Sequence, residues 1–331
     1  MTPKNIALLA GGYSGEFVIS LKTAENIQKQ LPADKYNVFK IIINKEGWFH
    51  EHGTQKISVD KNDFSLTIAG TKIRFEAAFI AMHGTPGEDG RIQGYLDMMD
   101  IPYTTCNTIV SALTFNKNNC NKVVKDAHIV GIANSVLLFK DQPYSIGMIL
   151  EHLRMPLFVK PNESGSSLGI SKVNSVEDLL PAIEKAFKED TQVLIEEFIE
   201  GRELTIGVYH LGDQLQALPP TEIVLGKSAI FDFDAKYSEG DTREVTPARI
   251  EDDTLKELSS KACQLYRYLN CRGVVRMDFI LQKGTNKLFF LEVNTMPGQT
   301  EASIVPQQLR CAGIELTDFY TALLEDALNR R

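Results

Sequence analysis

The chain has 331 residues, 43% of them hydrophobic and 24% charged, which is ample material for more than one core. A formal net charge of −8 without a basic stripe argues against nucleic-acid binding, and no apolar run approaches the roughly 20 residues of a membrane span. IALLA runs directly into GG with no secretory cleavage pattern, and the five cysteines, Cys106, Cys120, Cys263, Cys271 and Cys311, form no CxxC pair, so neither disulfides nor zinc is expected and the protein reads as cytosolic.

KNIALLAGG reads as a strand entering a glycine turn, SLKTAENIQKQL as an amphipathic helix, and YNVFKIIIN and EAAFIAMHG as further apolar strands. With GRIQGYLDMMD as a helix and IPYTT as a short strand, residues 1 to 106 are expected to form an α/β domain with a largely parallel sheet. A long helical stretch through NKNNCNKVVKDA opens residues 107 to 196; PLFVKPN, GISKV and QVLIEEF then read as strands around the helix VEDLLPAIEKAF, an α+β pattern. Residues 197 to 331 read as a second α+β unit, with strands ELTIGVYHLG and QLQALPPTEIVLG, a polar loop near 231 to 247, the helix DDTLKELSSKACQLYRYL, the pair GVVRMDFIL and KLFFLEVN, and a closing helix.

The last pair carries chemistry. QKGTNK suits a tight connection, so the two strands are expected to pair antiparallel with Asp278 opposite Glu292 and Arg276 opposite Asn294. Side chains alternate along a strand, so these four share one face. Asp278, Glu292 and Asn294 offer only hard oxygens, the donor set for Mg²⁺ carried by a nucleotide phosphate, and Arg276 can neutralise a phosphoryl oxygen or an oxyanion beside it. A single acid in a strand is ordinarily a solvated charge; three oxygen donors and an arginine together point to a metal site.

Other segments supply parts of a phosphate site. FVKPNESGSSLGISKV sets Lys160 at a strand end before Gly165, Ser166, Ser167 and Gly169, a loop that can lay backbone N–H groups on phosphate oxygens, although the Walker A pattern is missing. Glu196 and Glu197 are placed to reach an adenine amino group or ribose, with Glu203 a strand further on; taken alone such acids are ordinary surface charges. Lys236 and Tyr237 stand in the polar loop, which is long enough to be functional, and Lys236 could close over a phosphate. His83 ends a strand before the glycine-rich AMHGTPGEDG, where an α/β sheet presents its ligand crevice.

GGYSGE, HGTPGEDG, VKPNESGSSLG, AKY, RMDF and LEVNTMPG occur in the order, and close to the spacing, of D-alanine–D-alanine ligases of the ATP-grasp superfamily. The chain resembles that family over nearly its whole length. The resemblance implies an N-terminal α/β domain followed by two α+β subdomains that clasp ATP, with Mg²⁺ or Mn²⁺, and joining of two D-alanines through an acyl phosphate for peptidoglycan precursors. It implies Asp278, Glu292 and Asn294 as metal ligands, Lys117, Lys160 and Lys236 as phosphate-binding lysines, and Glu196 and Glu203 as adenine and ribose contacts. Glu16 matches the acid that holds the first D-alanine's ammonium, and His83 and Arg276 match residues near its carboxylate and the developing oxyanion. Ser303 matches the hydroxyl that receives the second carboxylate, and Ser166 and Tyr237 the partners that link two closing loops with Glu16; in the mechanism this implies, Arg276 with backbone N–H groups around Gly298 can stabilise the tetrahedral oxyanion. A homodimer is implied too. Glu197 stands where many relatives carry lysine, Phe231 where some carry tyrosine, and Ala302 where some carry histidine. A D-lactate-using or other ATP-grasp carboxylate–amine ligase is the nearer alternative, with Tyr237 favouring D-alanine, and a nucleotide-binding module without turnover the more distant one.

Overall fold

The computed structural model describes residues 2–163, 165, 168–225 and 242–330. Its first sheet is centred on β1 (Lys4–Gly11), which pairs in parallel with β2 (Tyr36–Asn44) on one side and β7 (Ala77–Ile80) on the other. Both faces of a parallel centre must be covered. Ile6, Leu8 and Ala10 pack with Ala24 and Ile27 of α1 (Phe17–Gln30), while Ala7 and Leu9 pack with Ile92 and Leu96 of α2 (Arg91–Met98). The sheet is less parallel than expected: β3 (Gly47–His52) and β4 (Gln55–Ser58) extend it antiparallel beyond β2, and β5 (Ser65–Ile68) and β6 (Thr71–Arg74) form a separate hairpin. These short segments bury few side chains, so they lack the apolar runs that mark the central strands. IPYTT contributes only an isolated parallel bridge, Tyr103 to Ala78.

The helical stretch after residue 107 is two helices, α3 (Thr108–Phe115) and α4 (Lys117–Asp126), divided at Asn116. Asn116 is extended, and its side chain accepts from Asn119 N, so the residue ends one helix and caps the next. The second sheet is antiparallel in the order β10 (Ser171–Val173), β9 (Leu157–Pro161), β11 (Gln192–Glu197), β8 (Ser135–Phe139), the last a strand not read from the sequence. Val159, Val193 and Ile195 face a core with α5 (Ile146–His152) and α6 (Leu179–Ala186), which leaves Lys160 and Glu196 on the opposite face.

The third sheet runs β15 (Thr242–Val245), β14 (Thr221–Leu225), β12 (Gly201–Leu211), β16 (Gly273–Gln282), β17 (Leu288–Asn294), with β13 (Gln214–Ala217) also on β12. Residues 242–245, read as loop from the sequence, are therefore a strand. Leu204, Ile206, Val275, Met277 and Phe279 form a core with Leu258, Ala262 and Leu265 of α7 (Asp252–Tyr268). Alternation sends Glu203, Thr205, Arg276 and Asp278 to the other face. α8 (Ile304–Cys311) and α9 (Leu316–Asn329) close the chain, and α9 sets Phe319, Tyr320 and Leu323 against both the first sheet and Tyr209 of β12. Among the described residues, no helix is long and apolar enough to cross a membrane.

Candidate active site

The polar face of β16 and β17 is created by a change of phase. Near the turn Leu281 pairs with Leu288 and Phe279 with Phe290, which puts the even-numbered Leu288 and Phe290 in the core. The register then shifts between Asp278 and Phe279, so that Asp278 faces Glu292 and Arg276 faces Asn294, with Leu291 the extra residue. Beyond this bulge the core residue is odd-numbered Val293, and Glu292 and Asn294 turn away from the core. An unbroken alternation would have driven both into it. The pairing expected from the sequence is thus present, by way of a bulge that the sequence reading did not include.

Asp278 is the hub of this face and is almost fully buried. Arg276 donates to it from Nε (3.0 Å, to Oδ1) and a terminal guanidinium nitrogen (2.9 Å, to Oδ2), Thr205 donates to Oδ1, and Asn294 Nδ2 donates to Oδ2 at 3.3 Å. Burial works against the Arg276 charge, but Asp278, Glu292 and Glu88 hold its pKa above the ordinary value. Four donors use the lone-pair positions of a carboxylate, so a cation ligated by Asp278 replaces one of them. Asn294 can make that exchange by turning its amide, because its oxygen is a hard donor. Among the described residues, no three His, Cys, Asp or Glu side chains cluster for a metal. Two carboxylates and a carboxamide instead suit a cation whose other positions are filled by phosphate oxygens and water, as Mg²⁺ prefers.

Two lysines flank the face. Lys117 is the first residue of α4, and its Nζ lies 3.5 Å from Glu292 Oε2. The start of α4 is tied to the segment after β9, since Asn118 N donates to Asn162 Oδ1 at 2.8 Å and Asn116 Nδ2 to Glu163 Oε1 at 2.6 Å. Lys160 pairs with Glu196 at 2.7 Å, both nearly buried, and Asn121 Nδ2 donates to the other oxygen of Glu196 at 2.9 Å. Glu203 projects from β12 on the same face as Thr205 and Asp278.

The first sheet brings its own groups to this region. His83 is buried, with Nδ1 3.1 Å from the Met296 carbonyl and Nε2 3.0 Å from Thr23 Oγ1. Nδ1 therefore carries the proton, Nε2 accepts from the hydroxyl, and the ring is neutral: burial pushes its pKa down, against the nearby Glu16 charge. Glu16 precedes α1 and lies so close to two glycines that a Cβ on Gly165 would be 2.9 Å, and one on Gly84 3.3 Å, from its Oε2. These glycines let two loops close on one carboxylate. Ser303, at the N-terminus of α8, accepts from Thr300 N at 3.1 Å, and a Cβ on Gly298 would lie 2.8 Å from its Oγ.

The structure thus gathers Asp278, Glu292, Asn294, Arg276 and Lys117, sets Lys160 with Glu196, and brings Glu16 beside Gly84 and Gly165 and Ser303 beside Gly298. Ser166, Lys236, Tyr237 and Phe231 lie outside the described residues. Three participants were missed. Thr205 is opposite Asp278 and binds it, Asn121 binds Glu196, and Glu88 accepts from Gly84 N at 2.7 Å. Burial first, then Glu16, push the Glu88 carboxyl up to about 8. Glu88 lies within the HGTPGEDG segment, the one signal that could have drawn notice to it. Glu197 accepts from the Arg154 backbone N and from the Asn134 side-chain Nδ2, which ties it to its neighbouring segments.

Two sheets whose polar faces carry acids, with a lysine on one and an arginine on the other, joined to an α/β unit that delivers a further acid and a histidine, constitute an ATP-grasp ligase architecture. Solved structures agree. A D-alanyl-alanine synthetase A from Vibrio cholerae superposes with a TM-score of 0.88 at 31% identity, covering 99% of each chain. A D-Ala:D-Ser ligase, VanG, from Enterococcus faecalis gives 0.88 at 30% identity, covering 98% of this chain and 99% of that one. Residues 5–106 match the family profile described as D-ala D-ala ligase N-terminus, and residues 137–325 that described as D-ala D-ala ligase C-terminus. A D-alanine–D-alanine ligase from Parabacteroides distasonis is 43% identical over 333 residues, 99% of this chain and 98% of its own length. The chain belongs to the D-alanine–D-alanine ligase family.

Proposed function

We infer that this protein joins two D-alanines into D-alanyl-D-alanine, converting ATP to ADP and phosphate, for peptidoglycan precursor synthesis. The observation that carries the reading is the oxygen face of Asp278, Glu292 and Asn294 with Lys117 against it, in a chain of this family. A carboxylate resists attack by an amine because its leaving group would be oxide. The first D-alanine's carboxylate oxygen therefore takes the γ-phosphoryl group, ADP leaves, the second amine loses a proton and attacks the acyl carbon, and phosphate departs. The protein supplies position and charge compensation.

In this reading Asp278, Glu292 and Asn294 hold Mg²⁺ or Mn²⁺, which offsets polyphosphate charge. Lys117, Lys160 and Lys236 neutralise the phosphates, and Glu196 and Glu203 receive the adenine and ribose; binding of the base redirects the Lys160–Glu196 pair toward it. Glu16 takes the first ammonium, with neutral His83 behind the carboxylate. Arg276 and backbone N–H groups around Gly298 stabilise the tetrahedral oxyanion. Ser303 receives the second carboxylate, and Ser166 and Tyr237 link the closing loops to Glu16. Acyl phosphates hydrolyse in water, so closure over the site is part of the mechanism. Residues 107–196 and 197–331 form the clasp, and 1–106 the amino-acid side. We place the enzyme in the cytoplasm as a homodimer, the location supported by its free cysteines and need for ATP, the assembly by family resemblance.

D-alanine labelled with ¹⁸O in its carboxylate tests the route. The expected result is dipeptide in equal amount to phosphate, with one ¹⁸O in each phosphate. Dipeptide formed with unlabelled phosphate would exclude the acyl phosphate.

A further inference from the structure

We propose that a cavity between α4 and β8 is a second binding site, for a nucleoside phosphate whose base carries an amino group. The cavity has a volume of about 900 Å³, within the range of small-molecule sites. It is distinct from the reaction centre, since Lys117, Lys160, Glu203, Asp278 and Glu292 do not line it. Three features of its wall define the ligand.

The first is Asn121, a wall residue that is only 4% exposed. Glu196 accepts from its Nδ2 at 2.9 Å, which fixes the amide orientation, and its Oδ1 is left buried with no hydrogen-bond partner among the described residues. A buried acceptor without a donor is uncommon, and a ligand N–H can supply one. Charge is the second feature. In a chain of net charge −8, the ionisable residues of this wall are Lys122, Lys125 and His152, with no aspartate or glutamate among the described lining residues. Such a wall selects an anion. It also selects against a zwitterion, because an ammonium would meet basic groups and no acid; the N–H that reaches Asn121 therefore comes from a neutral group. The third feature is the apolar surface of Ile132 and Phe139, against which a flat ring can lie. A neutral amino group, a ring and a phosphate together describe an amino-substituted nucleotide.

The site has a physical link to the reaction centre. A ligand on Asn121 Oδ1 pins the same amide whose nitrogen holds Glu196, and Glu196 holds Lys160. Its occupancy thereby bears on a pair assigned above to the adenine.

Adenosine 5′-monophosphate is the probe, titrated calorimetrically into protein already saturated with Mg²⁺ and a non-hydrolysable ATP analogue. One further equivalent of AMP is expected to bind, at least tenfold more weakly in Lys122→Gln/Lys125→Gln; both lysines are exposed and outside the proposed catalytic set. Analogue affinity should be equal in the two proteins. Absence of a further equivalent in wild type, or equal AMP affinity in the variant, overturns the proposal. Failure of the analogue itself to bind would contradict the functional reading above instead, and AMP stoichiometry would still decide this one.

Discussion

At the scale of single residues, Asp278 and Glu292 carry the same charge in different settings, and two substitutions should separate them. Asp278 is almost fully buried and paired with Arg276, whereas Glu292 is about a third exposed, beside Lys117. Removing the Asp278 charge leaves a partly buried guanidinium without its partner, a loss on the order of 3 kcal/mol. Asp278→Asn should therefore lower both melting temperature and activity. Glu292→Gln removes a charge proposed to hold the metal without opening a cavity, so turnover should fall by about a hundredfold or more while the melting temperature stays nearly constant. Thermal melts and steady-state rates on the two variants check this; loss of fold in Glu292→Gln with full activity per folded molecule would make Glu292 structural. Glu88 gives a pH signature. Its folded pKa of about 8 exceeds the ordinary 4.5, so the stabilisation it offers is complete below 4.5 and is lost as pH rises to about 8. Melting of the ligand-free protein should show stability declining over that window, less so in Glu88→Gln. Identical profiles would contradict a protonated Glu88.

Elements decide which of these side chains meet. Gly84 has φ +64° and packs against Ser14, whose Oγ would be 2.7 Å from an added Cβ. Gly84→Ala should cost about 1–3 kcal/mol through the backbone alone and push Glu16 aside, raising KM for D-alanine more than for ATP. An equal rise in both would detach Glu16 from the amino-acid side. Hydrophobic runs located the central strands, and the tight QKGTNK connection gave the antiparallel hairpin, while the facing of Asp278 and Glu292 depends on the bulge. The bulge at Leu291 was not read, because alternation was carried unbroken through KLFFLEVN, although the shift from Leu288 and Phe290 to Val293 was visible there. The break at Asn116 was hidden for another reason: NKNN is polar in either state, and only the Asn116 side chain on Asn119 N reveals a cap. Thr205 was unreadable as a site residue, since its role depends on a strand some seventy residues from Asp278.

Across the whole molecule, the C-terminal helix fastens the first sheet to the third. Tyr320 is fully buried, packs edge-on against Phe79 of the first sheet, and donates to Gln299 Oε1 at 3.1 Å; Asn26 of α1 donates to the Gln299 carbonyl at 2.7 Å. Tyr320→Ala should cost about 3–5 kcal/mol and loosen the first sheet from the third, seen as earlier amide exchange in β1 and α1. Unchanged exchange there would mean that other contacts hold the units together. If the oxygen-rich face holds the metal as proposed, nucleotide turnover needs the metal and the amino acid together. ADP formation measured with ATP and Mg²⁺, with and without D-alanine and with excess EDTA, tests it most directly. The account predicts turnover only when Mg²⁺ and D-alanine are both present; equal ADP formation in EDTA, or a rate indifferent to D-alanine, would contradict it.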